Sequence, residues 1–354
     1  MYEMSLIIIE HGSTVNVCSL DLSKAFDRMN HYALLIKLMD RRLPNEILNI
    51  LELWFNTSVT CVKQNGSVSY FFRLLAGVCQ GGVLSPSLFA VFIDSVVDKV
   101  KATVVGCYLF SVCVSIFLYA DDILLIAPSV TALQTISSAC KHELMHLDIR
   151  INENKSNCIQ FGPRHNEECA TLSSGQGGVL YWSSQCTFLG VFLSSSVMGG
   201  YSSVRLITLS VSFFIALNAI FSNVGRFASE AVVLNLIRTK CLPILLYSVE
   251  SCPLVIRDKR SLEFTVTSSL MKSFKTGSAT IISDCQRFFG VLSITYQIDI
   301  RTARFLETFM INDNGICMLF ERHAKIGRNK IFSTYGDVHP VSDLRCVIDE
   351  LFFC

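Results

Sequence analysis

Two adjacent carboxylates, Asp121 and Asp122, lie inside an otherwise apolar stretch that runs from Ser115 to Ala127. An unpartnered charge is costly to bury, so such a pair needs a reason. We predict that the apolar residues form two strands joined by a tight turn over 120–122, because short turns favour Asp. A divalent cation relieves the repulsion between two like charges, and magnesium prefers oxygen ligands. The alternative is a hairpin whose turn is acidic by chance.

A third carboxylate, Asp21, ends a short apolar strand that begins at Val17. A polar turn containing Phe26 follows, and Asn30 is a suitable cap for an amphipathic helix over 31–42. A strand end and a hairpin tip converge when their strands are neighbours in one sheet. Two-metal phosphoryl transfer needs such an arrangement, with carboxylates holding two ions about 3.5–4 Å apart. Convergence of these carboxylates is therefore the simplest interpretation.

Five motifs occur in a fixed order along the first half of the chain. They are LDLSKAFD at Leu20–Asp27, GVCQGGVLSP at Gly77–Pro86, YADD at Tyr119–Asp122, INENKS at Ile151–Ser156 and FLGV at Phe188–Val191. Over residues 15–193, this order and spacing resemble the reverse transcriptases of non-LTR (LINE-type) retrotransposons. The resemblance implies an RNA-directed DNA polymerase that uses an RNA template, a DNA primer and deoxynucleoside triphosphates. It also implies two Mg²⁺ ions, with Mn²⁺ as an alternative, and indicates no specific protein partner.

The resemblance assigns roles to the residues at matching positions. Asp21 and Asp121 match the family's metal-binding pair, and Asp122 is an accessory acid beside them. Phe26 matches the aromatic that packs under the incoming sugar and excludes a 2′-hydroxyl. Without the motif, Phe26 would be interpreted as an ordinary core aromatic. Gln80 matches the side chain that contacts the nucleotide and the template.

Further positions match the parts of the family that hold the nucleotide and the primer. Gly81 removes a side chain where the backbone approaches a ligand, or belongs to a glycine-rich turn before a helix. For that helix, predicted over 88–100, we expect Ser85 as the cap and Pro86 as the first helical residue. Lys155 matches the lysine near the leaving pyrophosphate, and the alternative is a surface lysine in a turn. Phe188, Leu189 and Gly190 match the hairpin that grips the primer end, and the alternative is a plain buried strand.

A competing motif occurs at His142–His146, which fits the H-E-x-x-H pattern of zinc proteases. It lies on a predicted helix over residues 131–147. A predicted turn and strand over 152–162 follow, and the glycine of the longer protease pattern is absent. We therefore interpret the match as chance, on a helix that already belongs to the polymerase pattern.

The composition limits which classes of function and which cellular compartments are compatible with the chain. The net charge is +1, which is not the global signature of a nucleic-acid-binding protein, so any basic surface must be local. The chain is apolar, with 51% hydrophobic residues and a mean hydropathy of +0.46. Its 15 cysteines include no C-x-x-C pair, and the first residues make a poor signal peptide. Reduced thiols predict an intracellular protein of the nucleus or the cytoplasm.

Two long uncharged stretches, 103–120 and 206–224, approach the length of a membrane span. The first ends at Asp121 and is rich in β-branched and aromatic residues, so we predict two buried strands there. The second contains several Ser, Thr and Asn residues. Membrane association is therefore not expected.

The motifs define the expected architecture. We predict an α+β fold, in which residues 1–195 form a polymerase palm with a mainly antiparallel sheet, packed helices and partial fingers. Residues 196–354 would form a helical thumb-like and C-terminal region. Within it, the periodic stretch over 230–246 resembles the family's thumb helix, and we predict a break at Pro243. The family has a longer fingers region and an endonuclease before Asp21, so the resemblance implies N-terminal truncation. Two functions stay open: an RNA-directed DNA polymerase, and a degenerate non-catalytic remnant that at most binds nucleic acid.

Overall fold

The computed structural model describes residues 13–110, 112–173, 178–195, 203–224, 227–252, 254–336 and 341–353. The chain divides near residue 200 into two compact units. The predicted boundary between residues 195 and 196 falls at the start of a stretch that lies outside the described residues.

The first unit contains all the strands found in the described residues. They are β1 (Val15–Ser23), β2 (Val59–Thr60), β3 (Lys63–Gln64), β4 (Ser67–Val68), β5 (Phe72–Arg73), β6 (Tyr108–Leu109), β7 (Val112–Cys113), β8 (Ile116–Tyr119), β9 (Asp122–Ala127), β10 (Arg150–Ile151), β11 (Asn157–Phe161), β12 (Leu172–Ser173), β13 (Val179–Trp182), β14 (Gln185–Phe188) and β15 (Val191–Ser194). Seven of them form one sheet in the order β12-β13-β11-β1-β9-β8, with β10 also beside β1. Within this sheet β11 and β13 pair in parallel and the other pairs are antiparallel.

Helices cover one face of this sheet. They are α1 (His31–Asp40), α2 (Asn45–Thr57), α3 (Ser85–Ala102) and α4 (Val130–His146), with a short 3₁₀ turn at Phe26–Arg28. As predicted, Asn30 caps α1, and its side chain accepts hydrogen bonds from the N–H groups of Tyr32 and Ala33 at 2.9 and 3.1 Å. Phe89 and Phe92 of α3 are fully buried in the core that also holds Leu20. Burying such a ring contributes about 1.5–3 kcal/mol, so α3 anchors the helical layer.

One part of the sequence forms more strands than predicted. Residues 103–120 contain three short strands rather than two, because β6 and β7 pair with each other as a separate hairpin. β8 alone of the three joins the main sheet, as an edge strand beside β9. Tyr119 at its end is 66% exposed, so this stretch is less buried than its composition indicates.

The regular elements in the described residues of the second unit are all helical. Its helices are α5 (Ser203–Asn223), α6 (Glu230–Leu236), α7 (Leu242–Leu245), α8 (Ile256–Phe274), α9 (Ala279–Phe288), α10 (Ile294–Ile311), α11 (Gly315–Leu319), α12 (Glu321–Thr334) and α13 (Val341–Phe353). Phe213, Leu245 and Leu262 are among the buried side chains of its larger core. Together with the antiparallel sheet of the first unit, this arrangement confirms the predicted α+β class.

The predicted break at Pro243 takes the form of a wider helical turn. A π-helical turn at Ile237–Cys241 connects α6 to α7, and the N–H of Leu242 donates to the carbonyl of Ile237. Proline lacks an N–H group and clashes with the carbonyl four residues earlier. A π-turn directly before Pro243 lets the chain stay helical past this residue, so the helix is distorted rather than ended.

Two helical stretches, Leu206–Asn223 and Glu230–Ser251, are long and apolar enough to cross a membrane by length and composition alone. Each also contributes side chains to the core of the second unit, for example Phe213 and Leu242.

Candidate active site

Strand register brings two of the predicted carboxylates face to face. In the antiparallel pairing of β1 with β9, Asp21 is the partner of Asp122, and Leu20 is the partner of Ile123. Directly opposed residues on neighbouring strands point to the same face of a sheet, with Cβ atoms roughly 4.5–5.5 Å apart. The side chains of Asp21 and Asp122 therefore share one face, at the end of the pairing.

The alternation along β1 shows which face this is. Cys18, Leu20 and Leu22 are buried in the core beneath the helices. Because successive side chains point to opposite faces, Ser19 and Asp21 belong to the other face. Residues 15–20 of β1 are buried, and Asp21, the next residue, is partly exposed.

The turn that carries Asp121 is tighter than predicted. Tyr119 pairs with Asp122, which leaves Ala120 and Asp121 as a two-residue connection between β8 and β9. Asp122 is the first residue of β9 and not part of the turn, which corrects the predicted turn over 120–122. Ala120 has a φ of +52°, a left-handed conformation that costs a residue with a Cβ about 1–2 kcal/mol. The hairpin tip therefore holds strain beside the carboxylates.

Electrostatic repulsion is visible at Asp122. Partial burial, followed by the negative charges of Asp121 and Asp21, raises the pKa of Asp122 above its ordinary value. Asp21 and Asp121 are thus both close enough to Asp122 to influence it. Clusters of like charge that raise a pKa are typical of functional sites.

The motif around Lys155 is attached directly to the end of β1. The backbone N–H of Asn152 donates to the carbonyl of Asp21 at 2.8 Å, and the N–H of Asp21 donates to Ser156 Oγ at 3.0 Å. Lys155 Nζ lies 3.9 Å from Asp21 Oδ2, and its side chain is 68% exposed. The structure therefore brings Lys155 to the carboxylates while leaving its ammonium group open to solvent.

The glycine-rich motif is also held against the Asp21 motif. The N–H of Gly77 donates to Met29 at 2.8 Å, and the N–H of Val78 donates to Phe26 at 3.0 Å. Gly77 has a φ of +86°, and a Cβ there would lie 2.8 Å from the carbonyl oxygen of Asp27. His31 Nε2 is 2.7 Å from the carbonyl of Gly77. The close approach requires glycine at this position.

Sequence reasoning did not single out Gly77 and His31. The available signal was a glycine at the start of a motif, with a histidine directly after the cap of α1. This signal identifies a functional pair only when the glycine-rich motif and the Asp21 motif are known to be in contact.

Phe26, Gln80 and Gly81 lie on the same connected segment but in different surroundings. The ring of Phe26 is half-buried and stacks on Phe89, with ring centroids 4.5 Å apart. Gln80 and Gly81 are exposed. A Cβ at Gly81 would meet nothing within 4 Å, but its φ of +87° favours glycine. The conformation of the turn, rather than crowding, therefore requires Gly81.

Ser85 differs from its predicted role as the cap of α3. Leu84 occupies the cap position, and Ser85 Oγ donates instead to the carbonyl of Cys79 at 2.6 Å. This hydrogen bond closes the turn that contains Gln80 and Gly81. The exposed loop is thereby fixed to the start of a buried helix.

The predicted primer-gripping residues form a hairpin and not a plain buried strand. Phe188 pairs with Val191, and the two turn residues Leu189 and Gly190 have φ values of +49° and +71°. Two successive left-handed residues are typical of a type I′ turn. The Nδ2 of Asn157 donates to the carbonyl of Gln185 at 3.4 Å, which connects this hairpin to β11. The hairpin is confirmed, and its role with a primer stays a prediction.

The protease-like motif lies on α4, as predicted. The rings of His142 and His146 contact each other edge to face, with centroids 4.5 Å apart, on an exposed side of the helix. The strand β11 follows within residues 152–162, also as predicted.

The chemistry of the three carboxylates decides whether they suit a metal ion. Among the described residues, no three His, Cys, Asp or Glu side chains already surround one point as a metal site. Asp21, Asp121 and Asp122 nonetheless supply hard oxygen ligands, and magnesium is usually held by one or two carboxylates together with water and phosphates. Burial and the neighbouring carboxylates together raise the pKa of Asp122, and a bound cation would offset both effects. The donor set therefore fits a divalent ion that is shared with a phosphate-bearing ligand.

Comparison with known families gives the class of protein. Residues 5–193 match the family described as reverse transcriptase (RNA-dependent DNA polymerase). The match covers more than half of the chain, which therefore belongs to the reverse transcriptase family.

Curated relatives narrow this class to retrotransposon proteins. The R2 retrotransposable element polyprotein of Nasonia vitripennis is 26% identical over 152 residues, which are 43% of this chain and 15% of the relative. The RNA-directed DNA polymerase from the mobile element jockey of Drosophila funebris is 28% identical over 201 residues, which are 54% of this chain and 21% of the relative. These matches confirm the predicted resemblance to non-LTR retrotransposon enzymes. The chain spans about a fifth or less of the length of these two relatives.

Among solved structures, a telomerase of Candida tropicalis in complex with a fragment of telomeric RNA is 14% identical. The similarity covers 99% of this chain and 51% of that chain, with a TM-score of 0.45.

Proposed function

We propose that this chain carries out RNA-directed DNA polymerisation, with its active centre at Asp21, Asp121 and Asp122. The observation that carries the proposal is the register of β1 against β9, which sets Asp21 opposite Asp122 beside the turn that bears Asp121. Converging carboxylates with one nearby lysine suit the transfer of a nucleotidyl group.

The three carboxylates would hold two Mg²⁺ ions, with Mn²⁺ as an alternative. When bound, such ions lower the charge on the phosphates and on the attacking and leaving oxygens. Asp21 and Asp122 would hold their oxygens on one sheet face, and Asp121 would approach from the turn. The rigid two-residue turn would keep these oxygens at fixed positions, which favours preorganised binding of charge.

The other predicted residues would bind the substrates, which are an RNA template, a DNA primer and deoxynucleoside triphosphates. Lys155 would approach the pyrophosphate as it leaves, and its exposed ammonium group supports this role. Gln80 and Gly81 lie on an exposed turn, where they would contact the nucleotide and the template. Leu189 and Gly190, with Phe188 before them, would hold the primer end.

Selection of deoxynucleotides is proposed for Phe26. Its stacking on Phe89 would hold the ring in one position. By its match to the family's aromatic, the ring would lie under the incoming sugar and exclude a 2′-hydroxyl. We expect Phe26→Ala to raise the incorporation of ribonucleotides relative to deoxynucleotides, measured as a ratio of kcat/KM values. A lower thermal stability with an unchanged ratio would instead support the core-aromatic interpretation.

Primer extension on an RNA template tests the proposal as a whole. We expect the full chain to extend a DNA primer when Mg²⁺ and deoxynucleoside triphosphates are present, and to stop when EDTA is added. Binding of the primer–template without extension, at any Mg²⁺ or Mn²⁺ concentration, would support the non-catalytic alternative and contradict the proposal.

The proposed place of action is the nucleus or the cytoplasm. Cys18, Cys140, Cys158 and Cys186 are buried thiols that form no disulfide. Proteins that keep many buried thiols suit a reducing compartment. Localisation of a tagged full chain by microscopy tests this proposal, and secretion would contradict it.

A further inference from the structure

An exposed hairpin over residues 59–73 extends from the first unit. At its tip, Lys63 and Gln64 pair with Val68 and Ser67 around the left-handed turn at Asn65 and Gly66. At its base, β2 pairs with β5. The assigned roles of the polymerase motifs leave this element without a function.

A β-bulge interrupts the hairpin and displaces two aromatic residues. The N–H of Ser69 donates to the carbonyl of Val62 at 2.9 Å, whereas Phe72 is already the partner of Thr60. Tyr70 and Phe71 together therefore stand opposite the single residue Cys61. Bulges commonly occur next to functional sites, where they turn side chains away from the pleat.

The aromatic side chains at the bulge are strongly exposed. Tyr70 is 97% exposed, Phe71 is 71% exposed and Phe72 is 49% exposed. A single exposed apolar residue is ordinary, but three consecutive exposed aromatics, two of them at a bulge, indicate a binding surface.

Charge indicates what this surface binds. Between Glu52 and Asp94 the chain contains no acidic residue, and its charged side chains there are Lys63 and Arg73, both exposed. The combination of exposed aromatic rings and positive charge without nearby acids is typical of surfaces that bind single-stranded nucleic acids. Bases stack on the rings, and cations contact the phosphates.

The hairpin is also connected to the active centre along the chain. Gly77, four residues after Arg73, packs against Asp27 in the Asp21 motif. The base of the hairpin is therefore held to the segment that follows the catalytic strand β1.

We propose that the bulge residues Tyr70 and Phe71, with Lys63 and Arg73 on the same hairpin, form a stacking site for unpaired bases of the template RNA. This inference rests on the proposed polymerase function for the identity of the strand. The site binds through rings and phosphates, so it tolerates any base sequence.

Binding of a short, unstructured, fluorescently labelled RNA to the full chain, measured by anisotropy in EDTA, tests the site without catalysis. We expect the double variant Tyr70→Ser/Phe71→Ser to raise the Kd at least about fivefold, since each stacked base contributes about 1–3 kcal/mol. The exchanged pair Tyr70→Phe/Phe71→Tyr keeps two rings and should bind as the wild type. Phe264→Ser, at another exposed aromatic (70% exposed), is the matched control and should leave the Kd unchanged.

The possible results distinguish failure of the stacking site from failure of the proposed polymerase function. An unchanged Kd for the double variant, in a protein that still extends primers, overturns the stacking site alone. Loss of RNA affinity in a chain that extends no primer supports the stacking site and contradicts the polymerase. If the double variant instead abolishes self-association, seen by analytical ultracentrifugation, with the Kd for RNA unchanged, the patch is a protein interface and the inference is wrong.

Discussion

The two units differ in how far apart in the chain their contacting polar groups lie. In the first unit, Asp21 and Ser156 are joined by a hydrogen bond across 135 residues. In the second unit, Lys259 and Tyr335 reach Asp299 across 40 and 36 residues. A sheet can bring distant strand ends to one edge, whereas sequential helices pack mainly against their neighbours in the chain. Chemistry that needs several converging groups is therefore expected in the sheet.

The two units also differ in whether their carboxylates lie beside partners or beside other carboxylates. Asp299 is largely buried, pairs with Lys259 Nζ at 2.5 Å and accepts a hydrogen bond from the Tyr335 hydroxyl at 2.8 Å. Asp21 and Asp122 face each other with one exposed lysine at 3.9 Å from Asp21. A satisfied buried network stabilises a fold, whereas like charges held close together cost stability and indicate function.

The largest expected effect is that of Asp121→Asn. The substitution keeps the shape of the turn but removes a charge that would hold metal, so we expect primer extension to fall more than about a hundredfold. Asp40→Asn, at an exposed acid on α1, is the control and should extend as the wild type. Unchanged extension by the Asp121 variant would exclude this carboxylate from the active centre.

A smaller loss of activity is expected for Lys155→Gln. A charge-assisted contact contributes about 1.5–3 kcal/mol, so kcat should fall about ten- to a hundredfold. Thermal stability should change little because the side chain is mostly exposed. The exposed Lys99 offers a comparison, since Lys99→Gln removes the same charge from α3. Equal losses in both variants would show that only overall charge matters.

In the second unit, Tyr335→Phe should affect stability and not catalysis. Burial and the hydrogen bond to Asp299 raise the pKa of Tyr335, so its hydroxyl stays protonated and donating. Its removal should lower the free energy of unfolding by about 1–2 kcal/mol in urea titrations. Tyr32→Phe, at a 70% exposed tyrosine, is the matched control. If extension falls while stability is unchanged, the network has a functional role and the contrast between the units fails.

The smallest effect is a pH-dependent gain in stability for Asp122→Asn without metal. The raised pKa of Asp122 means that the folded state binds its proton more tightly than the unfolded state does. The wild type therefore loses stability as the pH rises above the ordinary value of 3.8. The variant should melt at a higher temperature at neutral pH, and the difference should vanish below that value. A constant difference across the whole pH range would point to packing rather than to charge.

Local features were predictable where neighbouring residues alone define them. Asn30 as a helix cap, the Leu189–Gly190 hairpin and the distortion at Pro243 all follow from short-range chemistry. The boundaries within residues 103–120 were wrong because apolar composition alone does not define how many strands form. The cap of α3 was wrong because the Ser85 hydroxyl has a better acceptor in the folded turn.

The sequence by itself determined the family, the α+β class and the identity of the chemical groups, because motif order and residue type are properties of the chain. Only the tertiary structure decided that Asp21 faces Asp122, that Gly77 packs against Asp27 and that Phe26 stacks on Phe89. Each of these contacts joins segments that are distant in the chain. Which segments meet depends on which apolar residues are buried together in the core. A shift of one residue in the β1–β9 register would move Asp21 out of line with Asp122. The convergence of these carboxylates is therefore a consequence of how the core packs.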